Sequence, residues 1–370
     1  MIEIDFERLR TLGLSPALAQ RAFTFCAAAD PAAHLGLRLF RLVEVHRETV
    51  RLHDGVGECS ARVMPRLARR LADEGTALAV GDWVLAANDA ADPQGAAWVR
   101  ERVPPLTHIA RRDADGQRHP VVSNVDTALL VMGLDDDFNP RRVERYLALV
   151  HATDGVLPVV VLTKADVAAC TPGLVAERVE ALRGRVPAHI DLVAVDGTDV
   201  YTAQQLSRYL GSGQTLVVLG SSGAGKSTLT NTLLGATTQD TGAVREHDSR
   251  GKHTTTSRSL HRLPGGACVI DTPGLRALRP DADPATLAAS FGDIEALAGA
   301  CRFHDCRHHD EPDCAVRAGV SADRLLNYHK LLREARRDAM GALERRQLLS
   351  AWKTRSKAGR ERMKVKRGEV

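Results

Sequence analysis

Residues 220–227, Gly-Ser-Ser-Gly-Ala-Gly-Lys-Ser, match the GxxxxGK(S/T) pattern of a phosphate-binding loop at every fixed position. They lie between the apolar run TLVVLG and the helix-like run KSTLTNTLLG, the strand–loop–helix context that the motif requires. Glycines let backbone N–H groups point at phosphate oxygens, and the helix start adds positive charge. Lys226 is predicted to reach the β- and γ-phosphates, and the Ser227 hydroxyl to bind Mg²⁺. The residues of this stretch predicted to bind the nucleotide are Gly220, Ser221, Ser222, Gly223, Ala224, Gly225, Lys226, Ser227 and Thr228.

A second motif, VIDTPG, favours a GTPase, since the phosphate loop alone does not distinguish ATP from GTP. Asp271 ends an apolar run and is expected to hold Mg²⁺ through water, while Gly274 would donate its N–H to the γ-phosphate. The polar segment 248–260 between the motifs is predicted to be a switch loop. Either Thr254 or Thr255 would coordinate Mg²⁺ there, unless the segment is an ordinary loop.

The quartet Thr-Lys-Ala-Asp at 163–166 follows the apolar run LPVVVL and resembles a guanine-recognition motif. Asp166 would accept hydrogen bonds from the guanine N1–H and exocyclic amine, donors that adenine does not match, and an unpaired carboxylate is costly. Lys164 would pack along the base, and Thr163 stands where asparagine is commoner. A polar strand end followed by a helix cap is the alternative. The segment 193–199 is assigned to the loop behind the guanine by position only.

The guanine motif precedes the phosphate loop in this chain, the reverse of the usual order. All parts of a GTPase are present in rotated order, and domain termini that lie close together make such a rearrangement physically easy. The sequence therefore predicts a circularly permuted domain. In this order the Asp271 switch leads directly into a C-terminal Cys/His cluster, so we hypothesise that GTP hydrolysis repositions that region.

The cluster CRFHDCRHHDEPDC has the spacing C-x4-C-x-H-x5-C. Three thiolates and one imidazole suit tetrahedral Zn²⁺ in a closed structural site, which would stabilise a small subdomain. The predicted ligands are Cys301, Cys306, His308 and Cys314, with His304 and His309 as competing histidines. The alternative is a set of reduced surface cysteines. An odd total of seven cysteines, three of them in this cluster, argues for a reducing compartment and against a disulfide framework.

The elements that position these motifs suggest an α/β protein with flanking domains. Short β-prone runs split by Gly, Asp and Pro predict a small β-barrel, an oligonucleotide-binding (OB) fold or less readily an SH3-like barrel. Apolar strands alternating with helices then predict a mostly parallel sheet covered on both faces. The predicted parts are a helical extension (1–37), the OB barrel (38–112), the permuted GTPase domain (120–280), a helical zinc-binding domain (281–350) and a basic tail (351–370).

Composition is typical of a soluble globular protein, with 44% hydrophobic and 26% charged residues. No run of 18 or more apolar residues and no secretory signal is present, so we expect a cytoplasmic protein without a membrane partner. Residues 351–370 hold eight Lys/Arg and two Glu, whereas the whole chain has a net charge of only +4. Such a tail suggests a polyanion such as nucleic acid, or else a solvated disordered segment.

The motifs TKAD, GSSGAGKST, GKHTTT, DTPGLR and CRFHDCRHHDEPDC, in that order, resemble the ribosome small-subunit-dependent GTPase A (RsgA) family over roughly residues 38–340. The resemblance implies an OB domain, a permuted GTPase and a zinc domain whose ligands carry over to the four residues of the Cys/His cluster. It also implies a monomeric, cytoplasmic bacterial factor that binds the small ribosomal subunit and its rRNA late in assembly. That subunit would stimulate hydrolysis of GTP to GDP.

The residue that orients the attacking water is the open point of the predicted catalytic set. Leu275 stands where Ras-type enzymes have a glutamine. His253 in the switch loop is one candidate, and a solvated histidine without that role is the alternative. The predicted catalytic residues are Lys226, Ser227, His253, Thr254, Thr255, Asp271 and Gly274.

Other functions consistent with these residues are a permuted GTPase acting on the large subunit or another RNA, and a GTP-switched binding module with negligible turnover. An ATP-using protein is disfavoured by Asp166.

Overall fold

The computed structural model describes residues 4–28, 36–87, 97–113, 116–235, 258–274 and 279–340. The predicted switch-loop residues His253, Thr254 and Thr255 lie outside these ranges, as do Leu275 and the basic tail.

The chain forms twelve helices and fourteen strands within the described ranges. The helices are α1 (Phe6–Arg10), α2 (Pro16–Ala27), α3 (Pro65–Asp73), α4 (Pro140–His151), α5 (Ala165–Ala169), α6 (Leu174–Arg183), α7 (Tyr201–Gln205), α8 (Lys226–Leu234), α9 (Pro284–Ala289), α10 (Gly292–Ala298), α11 (Ala315–Gly319) and α12 (Ala322–Ala339). The strands are β1 (Arg38–Val45), β2 (Val50–His53), β3 (Glu58–Val63), β4 (Trp83–Ala87), β5 (Ala97–Arg102), β6 (His108–Arg112), β7 (Arg118–Ser123), β8 (Thr127–Gly133), β9 (Leu157–Thr163), β10 (Leu192–Ala194), β11 (Thr215–Gly220), β12 (Ser259–Arg262), β13 (Cys268–Asp271) and β14 (Arg279–Pro280).

The first five strands form a closed barrel in the order β1-β2-β3-β5-β4, because β4 also pairs with β1. β3 and β5 run parallel, and α3 lies between β3 and β4 in the chain. This five-stranded arrangement is the OB topology. The apolar side chains at Leu42, Leu52, Ala61, Val84 and Val99 are fully buried. The OB barrel expected from the sequence is therefore present.

The barrel pairing ends with β5, so the last strand of the range 38–112 belongs elsewhere. β6 pairs with β7 and β14 in a separate three-stranded sheet, and β7 begins between the ranges predicted for the barrel (38–112) and for the GTPase domain (120–280). Asp281, just after β14, accepts hydrogen bonds from Arg112 Nε at 2.7 Å and Arg118 Nε at 2.6 Å. These hydrogen bonds attach the segment that follows the Asp271 motif to the β6–β7 hairpin.

The GTPase sheet has the order β10-β9-β8-β11-β13-β12, and β12 alone is antiparallel to its neighbour in this part. All residues of β8 and β11 are buried, as expected for strands covered on both faces. Successive residues of β9 face opposite sides: Val160 and Leu162 pack in the core that includes α4 and α6. Val159 and Val161 pack in the core that includes α8.

Barrel and GTPase strands join in one eleven-stranded sheet, since β1 pairs antiparallel with β12 at Glu44 and Ser259. Behind this seam lies Arg41, which is fully buried. Its Nη2 donates to the Asn124 carbonyl at 2.9 Å, and its guanidinium lies 5.1 Å from the Trp83 ring centroid. Burial lowers the pKa of Arg41 to about 10.

The N-terminal extension forms α1 and α2, capped by the side chains of Asp5 and Ser15. Its apolar face, which includes Leu12, packs against Trp83 and Leu85 of the barrel. Cys268 of β13 donates a weak hydrogen bond to the Thr11 carbonyl, with Sγ and O 3.6 Å apart. The extension thus contacts both the barrel and the GTPase sheet.

The C-terminal helices α9 to α12 surround a small core, which includes Phe291, Val316 and Leu331 and also Ala148 of α4. α12 is the last helix of the described ranges and lies within the helical domain predicted for 281–350. None of the helices in the described ranges is both long and apolar enough to span a membrane.

Candidate functional site

The predicted nucleotide motifs follow the carboxyl ends of neighbouring parallel strands. TKAD begins at the end of β9, the phosphate loop follows β11, and Asp271 ends β13. Because carboxyl ends of parallel strands meet at one edge of a sheet, ligands bind there whatever the order of the strands in the chain. The rotated order therefore leaves the motifs at a common edge.

The phosphate loop turns sharply between β11 and α8. Gly223 and Gly225 have φ of +81° and +85°, a conformation that favours glycine. A Cβ on Gly225 would lie 3.0 Å from Thr163 Oγ1, so this glycine also permits close contact with the guanine motif. The Thr163 hydroxyl donates to the Ala224 carbonyl at 2.7 Å. TKAD and the phosphate loop are in direct contact.

Lys226 begins α8 and is only 6% exposed. Its ammonium donates to the Ser221 carbonyl at 2.7 Å, so the lysine lies back over its own loop. Burial lowers the pKa of Lys226 to about 8, although the nearby Asp271 charge opposes this shift. Ser227 and Thr228 follow on the first turn of α8 and are half-buried.

The rest of the guanine motif is held open to solvent. Lys164 has a left-handed φ of +61°, and its ammonium pairs with Asp135 Oδ2 at 2.5 Å. Asp166 lies in the first turn of α5 and is exposed. Within the described ranges its carboxylate forms no hydrogen bond or ion pair with another side chain.

The segment 193–199 lies beside the guanine motif. The Ala165 N–H donates to the Val195 carbonyl at 3.2 Å, and Thr232 Oγ1 donates to the Gly197 carbonyl at 2.6 Å. A Cβ on Gly197 would lie within 4.0 Å of Thr163. Position in the chain had suggested this loop, and the structure brings it into contact with both α8 and the strand that carries TKAD.

The second motif packs against the phosphate loop. Asp271 is fully buried at the end of β13, and the Thr272 hydroxyl donates to the Val218 carbonyl of β11 at 2.7 Å. A Cβ on Gly274 would lie 2.6 Å from the Ser222 backbone nitrogen, so glycine is required at this contact. The Ser227 hydroxyl and Asp271 carboxylate are the hard oxygen donors that Mg²⁺ prefers.

Two residues that the sequence analysis did not assign also reach the phosphate loop. Ser221 Oγ accepts from Arg142 Nη1 at 2.8 Å and donates to Asp137 Oδ2 at 2.7 Å. Both partners come from the segment that follows β8, LDDDFNPRR, at the same edge of the sheet. The sequence signal that could have identified them is the run of charged residues directly after a buried parallel strand.

The Cys/His cluster brings Cys301, Cys306, His308 and Cys314 together, with one ligand atom of each within 4.8 Å of the others. Cys301 Sγ lies 3.8 Å from Cys314 Sγ and 3.7 Å from His308 Nδ1, and Cys314 Sγ lies 3.4 Å from His308 Nδ1. Tetrahedral zinc with ordinary Zn–S and Zn–N bonds gives edges of about 3.8 Å and about 3.6 Å. The four side chains therefore fit Zn²⁺.

The competing histidines lie elsewhere. His309 stacks on His329 with ring centroids 4.1 Å apart, and His304 is exposed. Neither is part of the four-residue group.

The amino-acid sequence is similar to known sequences over most of its length. A family model described as RsgA GTPase matches residues 103–280. The small ribosomal subunit biogenesis GTPase RsgA of Xanthomonas campestris pv. campestris (strain B100) is 45% identical over 310 residues, covering 81% of this chain and 81% of the relative. The protein of the same name from Xanthomonas oryzae pv. oryzae (strain MAFF 311018) is 44% identical over 308 residues, again with 81% of both chains covered.

Two solved structures share the fold. YjeQ from Thermotoga maritima matches with a TM-score of 0.56 at 22% identity, covering 81% of this chain and 98% of that one. YloQ, described as a circularly permuted GTPase, matches with a TM-score of 0.53 at 20% identity, covering 85% and 100%. At these identities the solved structures show the fold alone, whereas the sequence relatives show the family. The chain belongs to the RsgA GTPase family.

Proposed function

We propose that this protein binds the small ribosomal subunit and hydrolyses GTP during the subunit's late maturation, with the subunit stimulating turnover. The observation that supports the GTPase part is the 2.7 Å hydrogen bond from Thr163 to the phosphate loop at Ala224, which brings the predicted guanine motif into contact with that loop. The relatives named as small ribosomal subunit biogenesis GTPases support the choice of partner. The protein would act as a cytoplasmic monomer.

The phosphate loop would bind the triphosphate through its inward N–H groups and through Lys226. Lys226 leaves the Ser221 carbonyl for the β- and γ-phosphates, and the phosphate charge then favours its protonated form. Gly274 lies against Ser222, where its N–H would meet a γ-phosphate and lose that partner after hydrolysis. Asp166 selects guanine through the two donors of the base.

Mg²⁺ supplies charge neutralisation on the β- and γ-phosphates when bound. Ser227 would bind it directly and Asp271 through water, with Thr254 or Thr255 of the switch loop as the remaining protein ligand. His253 stays a candidate for orienting the attacking water.

We also propose the division of labour among the parts of the chain. Residues 120–280 would carry the nucleotide chemistry, 281–350 would be stabilised by one Zn²⁺ ion, and the barrel at 38–112 with the tail at 351–370 would contact rRNA phosphates. In the helical extension at 1–37, the described residues 4–28 would stabilise the seam between barrel and sheet through their contacts with both.

GTP turnover measured with isolated small and large ribosomal subunits tests the proposal. We expect slow hydrolysis by the protein alone and stimulation of roughly tenfold or more by small subunits, because a partner completes a site that lacks the usual glutamine. Equal stimulation by both subunits would point to another RNA target, and turnover that stays negligible with either would point to a binding module.

The variant Asp166→Asn tests whether Asp166 recognises the guanine base. Its amide matches the extra carbonyl of xanthine better than the amine of guanine, so turnover should shift from GTP to xanthosine triphosphate. GTP affinity should fall about 100-fold, because the negative charge is lost and the asparagine NH2 group faces the exocyclic amine of guanine, so that one hydrogen bond is replaced by a donor–donor contact. Equal affinity of the unaltered protein for GTP and ATP would contradict the guanine assignment.

A further inference from the structure

The side chain of Ser221 is held from two sides by residues that lie outside every nucleotide motif. Arg142 Nη1 donates to Ser221 Oγ at 2.8 Å, and Ser221 Oγ donates to Asp137 Oδ2 at 2.7 Å. Asp137 and Arg142 also pair with each other through two contacts of 2.5 Å and 3.0 Å. The three side chains form a closed ring of hydrogen bonds.

Ser221 also contacts Lys226. Its carbonyl accepts the Lys226 ammonium at 2.7 Å, while its hydroxyl belongs to the ring with Asp137 and Arg142. The second residue of the loop therefore connects the charged pair to the phosphate-binding lysine. Any shift of the Ser221 peptide displaces both.

We propose that Asp137 and Arg142 are positioning residues that hold the phosphate loop in its nucleotide-binding shape through Ser221. This inference rests on the proposed function in one respect, namely that the loop binds the phosphates of GTP. It assigns a role in binding to the segment between β8 and α4.

The physical reason is preorganisation. A loop with several glycines has many conformations in the absence of ligand, and ordering it on binding costs entropy. A bidentate pair between arginine and carboxylate has a fixed geometry, so a hydroxyl bound to both members is held in one place. The pair is neutral overall, so this role differs from simple attraction of phosphate by Arg142.

Three substitutions separate positioning from charge attraction. Arg142→Gln and Asp137→Asn should each raise the Kd for GDP about tenfold, since each opens the ring. Arg142→Lys should behave like Arg142→Gln, because an ammonium cannot bind Asp137 and Ser221 with the same geometry. If attraction by the positive charge is what matters, Arg142→Lys binds like the unaltered protein and Asp137→Asn binds more tightly. Either of those results overturns the proposal.

The matched control is Arg141→Gln on the same turn of α4. Arg141 pairs with Asp323 on α12 and forms no hydrogen bond or ion pair with the phosphate loop, both of which lie in the described ranges. Its Kd for GDP should stay within about twofold of the unaltered protein. Should Arg142→Gln fail to fold, Ser221→Ala removes only the hydroxyl and carries the same test.

Amide hydrogen exchange of the nucleotide-free protein gives a readout that needs no ligand. Protection of the amides in 220–228 should fall in Arg142→Gln and Asp137→Asn but not in Arg141→Gln. Unchanged protection together with an unchanged Kd would overturn the inference. If the unaltered protein bound no guanine nucleotide, the proposed function would fail instead, and the exchange result would still decide whether the pair orders the loop.

Discussion

His108 belongs to a cluster of hydrogen-bonded polar side chains at the junction between the barrel and the GTPase sheet. Its Nδ1 lies 2.8 Å from the Ser123 hydroxyl and 3.2 Å from Arg102 Nη2, and its Nε2 lies 3.3 Å from Thr76 Oγ1. Arg102 pairs in turn with the fully buried Asp82 at 2.9 Å. An additional positive charge on His108 would have to be accommodated beside Arg102 inside this cluster. The half-buried imidazole of His108 is therefore expected to be neutral.

The expected consequence is acid sensitivity. Burial lowers the pKa of His108 to about 3, with Arg102 and Arg118 adding to the effect and Asp281 opposing it. In the unfolded chain the His108 imidazole takes up a proton near pH 6.5, whereas in the folded protein it does so only near pH 3. Above pH 6.5 the imidazole is neutral in both states, so this residue then causes no loss of stability. Below it, the free energy of unfolding should fall by about 1.4 kcal/mol per pH unit towards pH 3.

Chemical denaturation at several pH values checks this for the unaltered protein and for His108→Gln. The substitution should remove part of the pH dependence, whereas His46→Gln, which alters an exposed histidine, should not. Identical pH profiles for all three proteins would contradict the assignment.

Among the elements, α4 stands between the nucleotide site and the C-terminal helices. One side of it carries Arg142, which contacts Ser221 of the phosphate loop. Another side carries Glu144, whose carboxylate accepts from Arg324 Nη1 at 2.8 Å and from Asn327 Nδ2 at 2.5 Å on α12. The hypothesis from the sequence was that GTP hydrolysis repositions the Cys/His region through the Asp271 motif. The contacts of α4 with the phosphate loop and with α12 offer a second connection between the nucleotide site and that region.

Loss of the buried pair between α4 and α12 should be costly. The side chains of Glu144 and Arg324 are 3% and 6% exposed, so Glu144→Ala leaves a buried guanidinium with one fewer acidic partner. Such truncations cost about 3–5 kcal/mol, although Asp293 remains beside Arg324 and favours the lower end. Thermal unfolding and protease cleavage after α4 would report the loss.

Arg141→Gln is the comparison for this prediction, since it removes an exposed ion pair between the same two helices. It should change unfolding little. Equal effects of the two substitutions would show that burial of Glu144 does not set the strength of the contact.

At the scale of the whole molecule, the parts differ in how they are joined. Barrel and GTPase domain share one sheet through Glu44 and Ser259, and the buried Arg41 lies behind that seam. The C-terminal helices surround a small core that reaches the GTPase domain at Ala148 of α4, and their contacts with that domain are mostly with α4. A small core gains stability from a metal site, since metal binding contributes directly to folding.

Removal of zinc should therefore unfold the C-terminal region while sparing nucleotide binding. A strong chelator should release about one Zn²⁺ per chain, measured by elemental analysis, and should expose 281–340 to protease. The Kd for GDP should change by less than about threefold, since none of the four ligands contacts the phosphate loop or TKAD in the described ranges.

Cys301→Ser should reproduce the effect of the chelator, while Cys170→Ser, at an exposed cysteine remote from the cluster, should not. A metal-free protein that remained protease-resistant would show that the helices around Phe291 fold without zinc.

The sequence by itself was sufficient for features that depend on short stretches. The phosphate loop, the Asp271 motif and the Cys/His spacing each need particular residues within about a dozen positions, because local backbone geometry and ligand chemistry dictate them. The order of TKAD and the phosphate loop likewise sufficed to predict a permuted domain, since parallel strands place their carboxyl ends at one edge in any order.

Only the tertiary structure decided contacts between residues far apart in the chain. It distinguished an OB barrel from an SH3-like one through the parallel pairing of β3 with β5, and it placed His308, rather than His304 or His309, beside the three cysteines. It also brought Asp137 and Arg142 to Ser221. Pairing of distant strands and convergence of loops depend on how the whole core packs, and no local pattern of residue types encodes that packing.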